Sequence, residues 1–344
     1  MIEQEHPKIS VIVPCHNIEE FINTCLTSLS QQTYGDFEVI CIDDGSTDAT
    51  GQLLEQYAAS DARFRVIHQE HTGPSGARNA GVAASSAPLI AFVDGDDYAA
   101  PQYLAILEGL LTHYRADMAC CSHKNARPGS TITFESEPDA ASQAIQQARV
   151  LDSSETLREI AEENIHFSYW SKLMTRELAE AAPFPEGMVY EDIWNLGLTT
   201  AAARRVVFSP IPLYCYVARD SSVTRARPQP LKRFWQFREA TDKFEAIYRE
   251  TRGLINATDD SSYCLHLVHR LCGQYATLQN SICDDTVCSE IANALLDELR
   301  ATYQLACLRG VSRLHPQMIR AILLLHAPAV HDIALDTYRQ LTNR

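Results

Sequence analysis

Four short apolar runs, each closed by small or acidic residues, alternate with helix-period segments through the first 125 residues. No other feature narrows the fold as much. Residues 8–13, 37–42, 64–67 and 89–93 read as strands, and 118–122 as a fifth. Apolar runs this short, bounded by turn residues, fit strands of a parallel sheet buried on both faces. Between them Phe21, Ile22, Cys25, Leu26 and Leu29 fall at helical spacing, as do Leu53, Leu54 and Tyr57. A short helix at 75–84 and one carrying Leu104, Leu107, Leu110 and Leu111 complete the series. Ser46 is placed to cap the second helix, with Asp48 in its first turn. Repeated βα units of this length predict an α/β fold, a Rossmann-like and mostly parallel sheet with helices on both faces.

In such sheets the ligand crevice lies beyond the carboxyl ends of the strands. Here those ends carry Pro14-Cys15-His16-Asn17, Asp43-Asp44-Gly45-Ser46, Glu70-His71-Thr72-Gly73 and Asp94-Gly95-Asp96-Asp97. Three carboxylates within four residues repel one another, and each is costly to bury unpaired. A divalent cation relieves both problems, and hard oxygen ligands suit Mg²⁺ or Mn²⁺. The alternative is an acidic turn ahead of the next helix, which Pro101 helps to start. Asp44 can accept hydrogen bonds from a base or ribose and His16 can stack on a base; ordinary turn chemistry before Gly45 is the competing explanation. Gly73 and Gly76 let the backbone approach a ligand, and the following helix start offers free N–H groups to an anion. Arg78, one turn in, reaches a phosphate or pairs with a rim carboxylate. The first strand is not followed by G-x-G-x-x-G, and no G-x-x-x-x-G-K-S/T exists, which excludes two common nucleotide motifs.

Charge narrows the partners. A net charge of −15 argues against sequence-independent binding to nucleic acid or to an acidic membrane. No stretch of about 18 apolar residues occurs, so no transmembrane span is expected. Eleven cysteines without a C-x-x-C read as structural thiols of a reducing cytoplasm.

Ser10-Val11-Ile12-Val13-Pro14-Cys15-His16-Asn17, Ile42-Asp43-Asp44-Gly45-Ser46-Thr47-Asp48, Ser75-Gly76-Ala77-Arg78-Asn79-Ala80-Gly81 and Phe92-Val93-Asp94-Gly95-Asp96-Asp97 resemble, in order and spacing, the successive motifs of family 2 glycosyltransferases. The match covers residues 7–125, with weaker agreement to about 225. The resemblance implies a GT-A fold, a nucleotide-sugar donor (most often a UDP-sugar), a Mg²⁺ or Mn²⁺ ion and inversion at the anomeric carbon. It also implies that Asp44 holds the base and Asp96 ligates the metal, with Asp94 near the ribose or metal. The expected donor contacts on the rim are therefore Pro14, His16, Asn17, Asp44, Gly73, Arg78 and Asp94. The chain departs from the family at two points: many relatives have Tyr where His16 stands and Asn where His71 stands.

Tyr190-Glu191-Asp192 opens a helix, where carboxylates are ordinary capping residues. Displacement of a nucleoside diphosphate by a hydroxyl nevertheless needs a base, and a positioned carboxylate contributes about 10²–10⁴-fold. Many family members carry an E-D pair here whose second residue is the base, which selects Asp192 with Glu191 in reserve. Residues 204–233 hold seven Lys or Arg against one acid, Asp220. Within them Arg219, Ser222, Thr224 and Arg225 belong to a stretch resembling the family's Arg-x-x-Ser-Ile/Val-Thr. It reads as a donor-binding lid, as a solvated surface loop, or as a patch for the phosphate of a lipid-linked acceptor at a membrane face. Trp170 either faces the acceptor sugar or packs in the core.

Three regions follow: a nucleotide-sugar-binding half (1–125), an acceptor-binding half carrying the base (126–228), and a C-terminal helical region (229–344). In the last, Phe234, Phe237, Phe244 and Tyr248 share a face, and further helices are expected over 318–325 and 334–341. Packing within the chain is the default there; a homodimer and a membrane-facing or acceptor-binding role stay open. The expected function is a metal-dependent inverting glycosyltransferase of the cytoplasm or the inner face of the plasma membrane. Its acceptor is saccharide, lipid-linked or protein-attached, as in bacterial surface-polysaccharide or glycoconjugate assembly. The alternatives are a catalytically inactive sugar-nucleotide-binding partner and a sugar-nucleotide-forming nucleotidyltransferase. The second wants a Gly- and Lys-rich phosphate loop near the N-terminus, which is missing.

Overall fold

The alternation of apolar runs and helix-period segments becomes β1 (Ile9–Cys15), α1 (Ile22–Ser30), β2 (Phe37–Asp44), α2 (Thr50–Ser60), β3 (Phe64–Gln69), α3 (Gly73–Ala84), β4 (Leu89–Phe92), β5 (Tyr98–Ala99), α4 (Tyr103–Tyr114) and β6 (Met118–Ala126). Next come α5 (Ala140–Gln146), β7 (Arg149–Leu151), α6 (Ser153–Ala161), a 3₁₀ turn (Tyr169–Ser171), β8 (Lys172–Thr175), α7 (Arg176–Ala181), α8 (Glu191–Ala202) and β9 (Val206–Val217). Helices α9 (Pro230–Thr251), α10 (Ser261–Gln279), α11 (Thr286–Leu308) and α12 (Pro316–His326) follow. The computed structural model describes residues 7–130, 134, 140–188, 190–219, 230–254, 260–279, 286–312 and 316–326. The segment at 334–341 lies outside them, as does the side chain of Phe234.

Two compact units form: Met1–Thr156 with Ile165–Arg219, and Leu157–Asn164 with Asp220–Arg344. The first holds a nine-stranded sheet in the order β3-β2-β1-β4-β8-β6-β9-β5, with β7 added on β9. Strands β3, β2, β1 and β4 are mutually parallel, so their carboxyl ends line one rim. Beyond β4 the expected parallel run is interrupted. β8 lies antiparallel between β4 and β6, and β9 pairs parallel with β6. β9 went unread because its residues fall in the stretch that looks basic as a whole. Pro14 is tolerated in the central strand β1 because pairing with β4 ends at Ile12.

β1 is buried on both faces, with Ile9, Val11, Ile12 and Val13 fully inaccessible. Cys15, Cys25 and Cys41 join that core as free thiols, and burial pushes the Cys41 thiol up to about 12. Ser46 does not cap α2, whose first residue is Thr50. Its hydroxyl accepts from the Asn17 amide, while Asp48 accepts from the Thr50 amide. In the helical unit Arg270 is buried within reach of Asp242 at 3.3 Å, Glu245 at 3.8 Å and Glu298 at 3.9 Å, and Phe244, Tyr248 and Tyr263 are fully buried. No helix among the described residues is long and apolar enough to cross a membrane.

Helix α3 lies against the sheet through Gly81, where an added Cβ would stand 2.3 Å from Ile12 Cγ2. Ile12 is fully buried and cannot withdraw. Gly81→Val should therefore destabilise the protein by about 1–3 kcal/mol through overpacking, read as a lower urea midpoint at unchanged m-value.

Candidate active site

β2 is the middle strand of the β3-β2-β1 group, so Asp44 reaches the rim between the other two strand ends. Its carboxylate is already engaged. It accepts from the amides of Thr72 and Gly73 at 2.8 Å each, from Gln69 Nε2 at 2.7 Å and from the Thr72 hydroxyl at 3.1 Å. Burial alone would raise the carboxyl, but these donors outweigh it and hold Asp44 below the usual carboxylate range. Asp44 therefore ties the loop after β3 onto β2, and a base contact would have to replace one of these bonds. Gly45 has φ +69°, and a Cβ there would meet the His71 amide nitrogen at 2.9 Å, so the close approach of these loops needs glycine.

His16 and His71 flank Asp44, their rings stacked 4.1 Å apart. Asn17 adopts a left-handed backbone at φ +49° and accepts from the Thr47 amide at 2.8 Å, fastening the β1 end to the β2 end. Gly73, at φ +85°, leaves open space where a Cβ would stand and donates its N–H to Asp44. Sequence reasoning passed over Gln69 and put Thr72 on the rim without a role, because their side chains carry no pattern of their own.

At the end of β4 the three carboxylates divide the work. Asp97 is buried, its oxygens taken by the Tyr214 hydroxyl at 2.9 Å and the Val217 amide at 2.7 Å. The same Tyr214 oxygen accepts from the Asp94 amide at 3.1 Å, so β9 braces the whole turn. Tyr214 was unreadable in advance, lying in the strand that went unrecognised. Burial, then the Asp96 and Asp94 charges, push the Asp97 carboxyl well up. Asp96 is also raised, by burial and then by Asp94, with Arg219 opposing. The carboxylate oxygens of Asp94, Asp96 and Asp97 lie within 4.8 Å of one another. Hard oxygen donors that repel this strongly fit a divalent cation such as Mg²⁺ or Mn²⁺. Arg219 Nε donates to Asp96 at 2.5 Å with its guanidinium 5.3 Å from the Phe21 ring centroid. Ser222, Thr224 and Arg225 lie outside the described residues.

Arg78 joins the two halves of the site. Buried on α3, it donates to Asp94 at 3.0 Å and to Glu191 at 2.6 Å. Of the two roles open to it, the structure shows the carboxylate pairing. Glu191 is thereby committed, while the neighbouring Asp192, in the first turn of α8, has no ion pair among the described residues. Its burial, then the Glu191 charge, raise its carboxyl to about 7 against the pull of Arg78. Just before them Tyr190 holds φ +78°, uncommon for a bulky residue and of a kind that gathers at functional sites. Trp170 corrects an expectation: it is 4 % exposed, stacked on Tyr214 at 4.5 Å and on His166 at 4.9 Å. Its ring faces are covered by protein, so the residue acts in packing and offers no platform to an acceptor sugar.

The chain has relatives. Residues 10–181 match the sequence family described as Glycosyl transferase family 2, and the chain belongs to that family. It is 34 % identical over 231 residues to the uncharacterized glycosyltransferase EpsJ of Bacillus subtilis, covering 65 % of each chain. It is 29 % identical over 223 residues to the glycosyltransferase GlyA of Streptococcus pneumoniae, covering 63 % of this chain and 32 % of GlyA. The match thus spans less than two thirds of either relative. Among solved structures, Staphylococcus aureus TarS 1–349 in complex with UDP-GlcNAc superposes with a TM-score of 0.58 at 21 % identity, covering 88 % of this chain and 90 % of TarS 1–349. The likeness shows the GT-A fold.

Removing the Arg78 fork leaves Asp94 and Glu191 unpaired at low exposure. Arg78→Ala should cost about 3–5 kcal/mol in urea unfolding, with Arg78→Lys recovering part of it because an ammonium cannot fork.

Proposed function

We propose that the chain is an inverting glycosyltransferase that moves a sugar from a nucleoside-diphosphate sugar, a UDP-sugar in the first instance, to an acceptor hydroxyl. Family membership supports transfer chemistry, and the UDP-GlcNAc carried by TarS supports the donor class. One observation carries the reading furthest. Arg78 binds Asp94, at the acidic turn, and Glu191, next to the half-buried Asp192, so one guanidinium spans from the turn to the helix that bears Asp192.

In this reading the nucleotide lies along the rim of His16, Asn17, Asp44 and Gly73, and the diphosphate reaches Asp94 and Asp96. A Mg²⁺ or Mn²⁺ ion held by Asp94 and Asp96 would offset the charge that builds on the leaving diphosphate. Asp192 takes the acceptor proton as the hydroxyl oxygen attacks the anomeric carbon. The bond from that carbon to the diphosphate oxygen breaks with its electron pair, and a single displacement inverts the centre. Arg78 keeps Glu191 and Asp94 apart in charge, which leaves Asp192 as the base. Arg219, Ser222, Thr224 and Arg225 are counted among the donor contacts, the last three lying outside the described residues. Residues 1–125 serve the donor, 126–228 the acceptor and base, and 229–344 packing within the chain, with an acceptor-side, membrane-facing or dimer contact as the further roles.

The acceptor class is a saccharide, lipid-linked or protein-attached hydroxyl of surface-polysaccharide or glycoconjugate assembly. Buried free thiols suit the reducing cytoplasm where nucleotide sugars are made.

UDP binding by isothermal titration should need Mn²⁺ or Mg²⁺ and vanish in excess chelator; equal affinity with chelator would remove the metal role of Asp94 and Asp96. Asp192→Asn should preserve UDP binding while turnover drops at least about a hundredfold. Because the base must be ionised and its carboxyl sits at about 7, turnover should rise as pH climbs through about 7. A flat profile across that window would move the base elsewhere.

A further inference from the structure

We propose that His16, Asp44 and His71 form a site for a borderline divalent cation such as Zn²⁺, separate from the acidic turn at Asp94 and Asp96. The three residues come from the ends of the adjacent strands β1 and β2 and the loop after β3. One ligand atom from each lies within 4.8 Å of the others. Both imidazoles aim Nδ1 at oxygens of the same residue: His16 at the Asp44 carbonyl, 2.8 Å away, and His71 at Asp44 Oδ2, 2.8 Å away.

With Nδ1 protonated, both imidazoles donate to the Asp44 carbonyl, His71 at 3.1 Å, and an ion can stand in for those protons beside the carboxylate. Neutral imidazole keeps its single proton on either nitrogen, so moving it to Nε2 frees Nδ1 as a ligand. Tetrahedral zinc ligands at about 2.0–2.2 Å are roughly 3.4 Å from each other, so the three atoms must close by more than roughly 1 Å. The stacked His16 and His71 rings must also tilt apart for both Nδ1 lone pairs to converge. His16 Nε2 lies 3.1 Å from Asn17 Nδ2, and that amide must turn to accept once Nε2 carries the proton.

Donor chemistry separates this site from the acidic turn. Two imidazoles with one carboxylate select zinc, cobalt, nickel or copper, whereas an all-carboxylate set selects magnesium or manganese. Access is open, since the His71 side chain is 56 % exposed, while Asp44 is buried and fixed by the Thr72 and Gly73 amides. A preset carboxylate with two reachable imidazoles lets an ion bind without unfolding the rim. Once bound, it would fasten the ends of β1, β2 and the β3–α3 loop to each other and, on the proposed function, compete with the nucleotide for His16 and Asp44.

The test is zinc titration of the untagged full chain in a large excess of Mg²⁺, with thermal unfolding in parallel. The wild type should bind Zn²⁺ that Mg²⁺ does not displace, and its melting temperature should rise with zinc by mass action. His71→Asn and His16→Tyr, which install residues many family relatives carry, should each weaken zinc binding at least about tenfold and lose the thermal shift. Asp96→Asn should retain both. Displacement by Mg²⁺, loss in Asp96→Asn, or unchanged affinity in both histidine variants (as uptake by thiols would give) would overturn the proposal. His71→Asn alters an exposed side chain, so its melting curve without zinc confirms folding and leaves that variant decisive.

Discussion

A single buried guanidinium sets the geometry of this rim. Arg78 sits between two carboxylates that are far apart in sequence, Asp94 after β4 and Glu191 at the start of α8. Either carboxylate left alone at that depth would take up a proton or unseat its turn. Held together, they place the acidic turn and the α8 N-terminus at a fixed separation. The pairing also decides which acid of the Glu191-Asp192 pair is available, because Arg78 engages the Glu191 carboxylate while Asp192 has no ion pair among the described residues. Asp192 is left with partial burial and an anionic neighbour, and its raised carboxyl follows from those two circumstances.

Several acids of the rim are committed to architecture. Asp44 and Asp97 are also held in place by protein donors: Asp44 by the loop after β3, Asp97 by Tyr214 and Val217. Their work is to hold the turns that carry Gly45, Asp94 and Asp96. Hydrogen bonds between chain segments, rather than the apolar core beneath, thus fix the shape of the surface. The core sets only where the strands end.

Much of this was legible beforehand because it is local. The parallel strands β1 to β4 announce themselves through short apolar runs, and the turns through Asp, Gly and Asn at their ends. Arg78 is one helical turn past two glycines, which marked it as facing the rim, though not which of its two partners it would choose. What stayed hidden depends on contacts between distant segments. β8 slots between β4 and β6 with no local signal, and β9 was masked by arginines before and after it. Tyr214, which braces Asp94 and Asp97, went unseen for that reason. Trp170 looked equally suited to a sugar or a core, since an aromatic ring carries no sign of what covers its faces. Ser46 has the right chemistry for a cap, but the chain makes another turn before α2 begins, and its hydroxyl goes to Asn17 instead.

The thiols of the central core have a practical consequence. Cys15, Cys25 and Cys41 are shut away around β1, and burial keeps them protonated far above neutral pH. An alkylating reagent reacts with thiolate, so it finds none of them while the sheet is intact. Cys272, on α10 in the helical unit, is shielded in the same way. Labelling at these positions therefore reports opening events of the native ensemble, unit by unit, and turns ordinary cysteines into built-in reporters of local breathing.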